Sequence, residues 1–418
     1  MSPLPPLRTI HGALREITET LASEFADPGS TPPSWPDWEW LLARAVAAMH
    51  GVSSLLSSAL RWQGAPEHWT AFLDSQKSHT AARFSRIRQL LSDLDDRARE
   101  SGIAVVALKG AELHALGLYA SGERPMSDVD LLVRRQDMGR TARLVEQLGF
   151  EQTLASERHL EFQPRQHHAP AELGEHSSND IKIELHGLIS EPLPVDTVDI
   201  TDIVFPRSPL PGLNSYPSRA ALMAHLLLHA AGAMTVRSVR LLHLQDISRL
   251  AARMTDADWD ELLGTGGARD ARPWWAFPPL RLTARYLPHV PSHVLRASEE
   301  WCPRSLARAI NKQELSDLSY SDLWIEAFPG MRWAASYRGK MRYALSRIYP
   351  GKESLEMRAA SLHLEPRTAQ SEWARLSQFQ RILRGLTSNV PRVETISAVR
   401  AALEKSPERL AAESSRIA

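Results

Sequence analysis

Arg124-Pro125-Met126-Ser127-Asp128-Val129-Asp130-Leu131-Leu132-Val133 is the stretch on which the reading of this chain turns. From Asp128 onward it has the apolar content and length of a buried β-strand. Alternate strand residues face the same side, so Asp128 and Asp130 share one face while Val129, Leu131 and Val133 pack behind it. Two carboxylates that close repel unless a cation or a shared proton lies between them. The spacing points to a divalent-cation site, with Mg²⁺ as the first choice for hard oxygen donors and Mn²⁺ as the alternative.

Upstream, Ile103-Ala104-Val105-Val106-Ala107-Leu108 reads as a short strand that ends in Lys109-Gly110, and Ala111 to Leu116 turns to a helix-favouring pattern. A strand entering a helix through glycine leaves backbone N–H groups free at the helix start and lets a phosphate approach closely. Strand, glycine, helix and a second strand carrying Asp-x-Asp is the order that nucleotidyl transfer requires, one element for the triphosphate and one for its metals. Lys109 either meets the triphosphate or solvates the strand end. Arg124 either grips the γ-phosphate or closes a local salt bridge with Glu123 or Asp128. With Gly110 and Ser127 they form the candidate nucleotide-binding set.

Residues 108–133, LKGAELHALGLYASGERPMSDVDLLV, resemble the signature of the uncharacterised nucleotidyltransferase family of the polymerase-β superfamily. The matching features are Leu-Lys-Gly, then a tyrosine, then Arg-Pro-x-Ser-Asp-x-Asp-Leu-Leu-Val. The resemblance extends to Trp38-Glu39-Trp40-Leu41-Leu42, His50-Gly51-Val52, Ile183-Glu184-Leu185-His186 and, more loosely, the segment around His225, His229 and Asp246, covering about residues 35–350. It implies an α+β fold, a polymerase-β-type core with a small mixed sheet flanked by N-terminal and C-terminal helical lobes. It also implies transfer of an NMP from an NTP, ATP among them, to a hydroxyl, with two Mg²⁺ ions and release of pyrophosphate. Similar proteins are bacterial and are encoded beside peptide natural-product pathways, among other settings, so the implied acceptor is a small molecule or a peptide.

Superfamily members usually carry a third carboxylate on a neighbouring strand, and Glu184 is the candidate here. In Ile181-Lys182-Ile183-Glu184-Leu185-His186 the alternation puts Lys182, Glu184 and His186 on one face, the side shared with Asp128 and Asp130. Glutamate stands where aspartate is frequent, and its longer arm leaves both metal ligation and general-base chemistry open. His186 either contacts the nucleotide or hydrogen-bonds within the sheet face.

Composition bounds these expectations. The chain has 418 residues, 43% of them hydrophobic, enough for a large core divided among two or three lobes. Residues 1–100 read as an N-terminal helical lobe, 101–205 as the α/β core, 206–350 as a second helical lobe and 351–418 as a helical extension and tail. A net charge of +0 gives no whole-chain attraction to nucleic acid. One cysteine, Cys302, excludes an intrachain disulfide and suits a reducing compartment. The start MSPLPPLRTIHGALREI lacks a secretory h-region and no apolar run reaches bilayer length, so the expected location is cytoplasmic and no membrane partner is expected.

Plainer readings stand beside several features. Tyr119 suits the core below the loop better than a stacking role. His225 and His229 are one helical turn apart, but the text lacks the His-Glu-x-x-His pattern, so interface histidines are the better reading. Asp246 either holds a helix junction or reaches the nucleotide. His167, His168 and His176 read as a solvated loop, and Gly264-Thr265-Gly266-Gly267 as a connector. No P-loop text occurs. The rivals to nucleotidyl transfer are a phosphotransferase on the same metal site and a non-catalytic nucleotide-binding or interaction protein.

Overall fold

The structure, a computed structural model, describes residues 5–156, 158–166, 168, 173–194, 196–264, 272–334, 336–351 and 376–404. His167, the glycine connector beyond Gly264 and the tail from 405 fall outside these residues. The described chain is mixed α+β. It begins with α1 (Leu7–Ser23), α2 (Asp37–Met49), α3 (Ser53–Ala59) and the 34-residue α4 (Glu67–Glu100). Arg97 and Arg99 sit in the last turn of α4, where positive charge complements the helix dipole. Gly102 then takes φ 66°, and the Ile103 N–H reaches back to the Ala98 carbonyl at 2.9 Å. This left-handed cap stops the helix and turns the chain into the sheet.

The sheet is built from β1 (Ala104–Ala107), β2 (Asp128–Val133), β3 (Phe150–Ala155), β4 (His159–Pro164) and β5 (Lys182–His186), with α5 (Gly110–Ala115) after β1 and α6 (Met138–Gln147) after β2. A small hairpin, β6 (Ser190–Pro192) and β7 (Thr197–Asp199), and a short helix, α7 (Thr201–Val204), follow. The sixth strand, β8 (Gly212–Asn214), lies past the 205 boundary read from sequence and pairs in parallel with β1. The order is β3-β4-β5-β2-β1-β8. β2 and β5 are parallel neighbours, a pairing that brings residues more than fifty positions apart side by side.

Side-chain alternation divides the sheet. Val105, Val129, Leu131, Val133, Ile183 and Leu185 are essentially buried and pack with Ile87 and Leu94 of α4 and Val145 of α6. Thus α4, placed with the N-terminal lobe on sequence grounds, also roofs one face of the core. Val106 and Leu132 point the other way and join a larger core with α8 (Arg219–Thr235) and α9 (Leu241–Ala251). Helix α8 is apolar around almost its whole circumference, with Leu222, Leu227, Leu228 and Ala231 all buried, as suits a central helix. The acid-bearing face of β2 and β5 therefore looks toward α8 and α9. Further helices run from Asp256–Gly264 to Val393–Glu404. Among the described residues no helix is long and apolar enough to cross a membrane.

Candidate functional site

The parallel register sets Asp130 opposite Glu184 and Leu132 opposite His186. Asp130 Oδ1 accepts from Lys109 Nζ at 3.1 Å and lies 3.2 Å from His186 Nε2, which is 3.5 Å from Glu184 Oε2. Ligand atoms of Asp130, Glu184 and His186 all fall within 4.8 Å of one another, and no other group of three acids, histidines or cysteines does so among the described residues. Asp128 is not part of that trio. Its carboxylate lines a half-enclosed cavity between the sheet and α8–α9, together with Lys109, Ser127 and Asp130.

The charges of the cluster are incompletely balanced. Burial and the nearby Asp130 and Glu184 push the Asp128 carboxyl up to about 6. Burial would also raise Asp130, but Lys109 and His186 hold it well below the usual carboxylate range. Burial opposes the charged form of His186, yet hydrogen bonds to Asp130 and Glu184 raise it to about 9. Lys109 is likewise raised against its own burial by Asp130, Asp128 and Glu184. Within the cluster three acids thus face two cations, and Asp128 is raised first by its burial and then by the neighbouring carboxylates. The carboxylate oxygens of Asp130 and Glu184 suit a hard divalent cation, whereas the imidazole of His186 is a donor that softer metals prefer.

Lys109 occupies the turn between β1 and α5 at φ 43°, in the sparsely populated left-handed half of backbone space. Its N–H donates to the Tyr216 hydroxyl at 3.1 Å, and that hydroxyl is hydrogen-bonded to His225 Nδ1 at 2.7 Å. The structure gives Gly110 a different reason from the sequence reading. Helix α5 has only six residues, and the Ala111 N–H already donates to the Leu108 carbonyl at 3.2 Å. A Cβ on Gly110 would run into Arg124 Nη1 and lie 2.6 Å from Met126 Sδ. Gly110→Ala is therefore expected to lower stability by about 1–3 kcal/mol through overpacking, measurable by denaturant unfolding.

Arg124 also lines the cavity, but its guanidinium is committed elsewhere. Nε donates to Asp246 Oδ1 at 2.8 Å and Nη2 to Asp246 Oδ2 at 2.7 Å. The γ-phosphate grip, one of the two roles the sequence left open, would have to break this buried bidentate pair, so the geometry disfavours it. Nor is the partner one of the local acids: Glu123 pairs with Arg249 at 3.0 Å. Asp246 takes the helix-junction role, and Tyr119, packed in the core, donates to its Oδ1 at 2.7 Å. His225 and His229 sit on α8 beneath the site, both held well below the usual histidine range, His225 chiefly by burial and His229 chiefly by Lys109. Neither joins the cluster of Asp130, Glu184 and His186.

Two features escaped the sequence reading. On β4, His159 and Glu161 stand opposite His186 and Glu184, with the His159 and His186 rings 5.3 Å apart and His159 Nε2 3.2 Å from Glu161 Oε1. The same alternation that singled out Glu184 and His186 is present in His159-Leu160-Glu161, and it extends the polar face by one strand. The other is Arg240, which lines the cavity from the N-terminus of α9.

The family model of the uncharacterised nucleotidyltransferases matches residues 35–288, more than half of the chain. The chain belongs to that family. No curated protein and no solved structure matches it. In this uncharacterised nucleotidyltransferase the matched segment holds the whole sheet, α8 and α9, and with them Asp130, Glu184 and His186 and the cavity-lining Lys109, Asp128, Arg240 and His243. Membership puts the chain among transferases whose donor is a nucleoside triphosphate.

Proposed function

We propose that this nucleotidyltransferase has a polymerase-β-type core and moves an NMP from an NTP to a hydroxyl of a small-molecule or peptide acceptor, releasing pyrophosphate. The observation that carries the reading is the meeting of Asp130, Glu184 and His186 across two parallel strands, with Lys109 at 3.1 Å and Asp128 in the adjoining cavity. Asp128, Asp130 and Glu184 would hold divalent metal, Mg²⁺ by preference, with His186 beside them as a hydrogen-bond partner of Asp130 and Glu184. Bound metal of this kind polarises phosphoryl oxygens and lowers the pKa of an attacking hydroxyl.

The chain's own groups supply the rest. Lys109 carries its ammonium at the acid cluster, placed to meet the charge that develops on departing pyrophosphate. Glu184 is more exposed than Asp130, with side-chain exposures of 26% and 8%, and so is the carboxylate better placed to take the acceptor's proton. The helical lobes would build the acceptor pocket. A neutral chain gives nucleic acid no general attraction, which favours a small acceptor.

The experiment is incubation with α-labelled ATP, GTP, CTP or UTP, Mg²⁺ and candidate hydroxyl acceptors. Label on the acceptor with stoichiometric pyrophosphate is the expected result. ADP or its analogue as by-product would replace the reading with phosphoryl transfer. NTP binding that needs no metal and survives Asp128→Ala with Asp130→Ala would remove it altogether.

A further inference from the structure

The turn from α8 to α9 carries two arginines with different commitments. Arg237, at φ 56°, is fixed by ion pairs to Asp322 and Glu326. Arg240 is exposed, lines the cavity opposite Lys109, and has no ion pair or side-chain hydrogen-bond partner among the described residues. Its positive charge acts across the cavity on Asp128. The end of α9 itself has few donors to offer a ligand. The Arg240 N–H is directed to His243 Nδ1 at 3.3 Å, that of Leu241 to His50 Nδ1 at 3.0 Å, and that of Leu242 to the His50 carbonyl at 3.2 Å. Any anion drawn to this wall is therefore held by side chains.

His243 adds a second donor. Because its Nδ1 accepts from the Arg240 backbone, the neutral ring carries its proton on Nε2. The ring lines the same cavity, edge-on to His229 at 5.0 Å between centroids. One wall thus carries acids and Lys109, and the other a free guanidinium beside a neutral N–H donor. A ligand that bridges them carries a metal-binding group at one end and a concentrated negative charge at the other. A polyphosphate chain has that form, and a guanidinium meets phosphate oxygens with paired donors.

We infer that Arg240, assisted by His243, anchors the terminal phosphates of the triphosphate, the position for which Arg124 is not free. This rests on the reading of the site as an NTP site. The test is calorimetric titration of the full chain with Mg²⁺ and inorganic tripolyphosphate, a probe independent of the base, and in parallel with each NTP and NMP.

Arg240→Gln is expected to weaken tripolyphosphate and NTP binding at least about tenfold, with Arg240→Lys recovering part of it and NMP binding unchanged. The melting temperature should not move, since the side chain is exposed. Should Arg240→Gln bind tripolyphosphate as the wild type does while Asp130→Asn does not, the anchor is elsewhere and the NTP reading survives. Should the wild type bind neither tripolyphosphate nor any NTP, both fall together. Equal weakening of NMP and NTP would give Arg240 to another part of the ligand and overturn the anchor.

Discussion

Asp130→Asn is expected to lower nucleotidyl transfer by about 10³-fold or more while leaving the fold intact. The substitution keeps the side chain's shape and removes its charge at the centre of the cluster, where one oxygen serves both Lys109 at 3.1 Å and His186 at 3.2 Å. Loss of a central carboxylate from a cation-holding set forfeits several kcal/mol of transition-state stabilisation, and about 4 kcal/mol corresponds to about 10³ in rate. His186 reports the same change without turnover. Burial alone would lower its pKa, and only Asp130, Glu184 and their hydrogen bonds raise it to about 9. In metal-free protein this raised value contributes stability that is fully present below the unfolded value of about 6.5 and is lost as pH rises through about 9. Unfolding curves in EDTA should therefore lose stability over that window in the wild type and lose less in Asp130→Asn. A variant that retains more than a tenth of the wild-type rate would take Asp130 out of the chemistry.

Local alternation made much of this site legible. Period-two patterning is enough to place Val129, Leu131, Ile183 and Leu185 behind the sheet and Asp128, Asp130, Glu184 and His186 in front, because a strand gives each residue only two sides. The stop at Gly149, which takes φ 92° before β3, follows from the same kind of local rule. What alternation cannot supply is the partner across the fold. Arg124 could be read against Glu123 or Asp128, its neighbours in sequence, but its carboxylate is Asp246, on a helix 122 positions later. β8 is only three residues long and gains its place from pairing with β1 and from the Leu213 N–H donating to Asp95 Oδ1 at 2.6 Å. Arg240 lacked a motif because its position depends on how α9 docks over the sheet. The sequence thus exposes groups that share an element, and tertiary packing decides which of them remain free.

Asp246→Ala is expected to destabilise the protein by about 3–5 kcal/mol, the largest stability effect anticipated for a single change near the site. Side-chain exposures of 10% for Arg124 and 3% for Asp246 leave the pair little water. Removing the carboxylate strands the guanidinium and also deprives the Tyr119 hydroxyl, 2.7 Å from Oδ1, of its acceptor. Arg249 reinforces the same junction from α9, donating to the Leu118 carbonyl at 2.7 Å while its guanidinium lies 4.3 Å from the Tyr119 ring centroid. Together these contacts moor the segment from Leu118 to Arg124, which leads directly into Ser127 and Asp128, so the aspartate pair is held partly from α9. The two roles considered for Arg124 then separate in one comparison. A phosphate-gripping arginine changed to Lys would raise the KM for NTP with little change in melting temperature. A mooring arginine changed to Lys loses the bidentate geometry, and its melting temperature should fall while the KM of the remaining folded enzyme changes little. The double change Arg124→Met with Asp246→Leu should recover much of the lost stability, because it removes both buried charges at once. Failure of that recovery, with Asp246→Ala costing less than about 1 kcal/mol, would mean that the pair does not hold the junction.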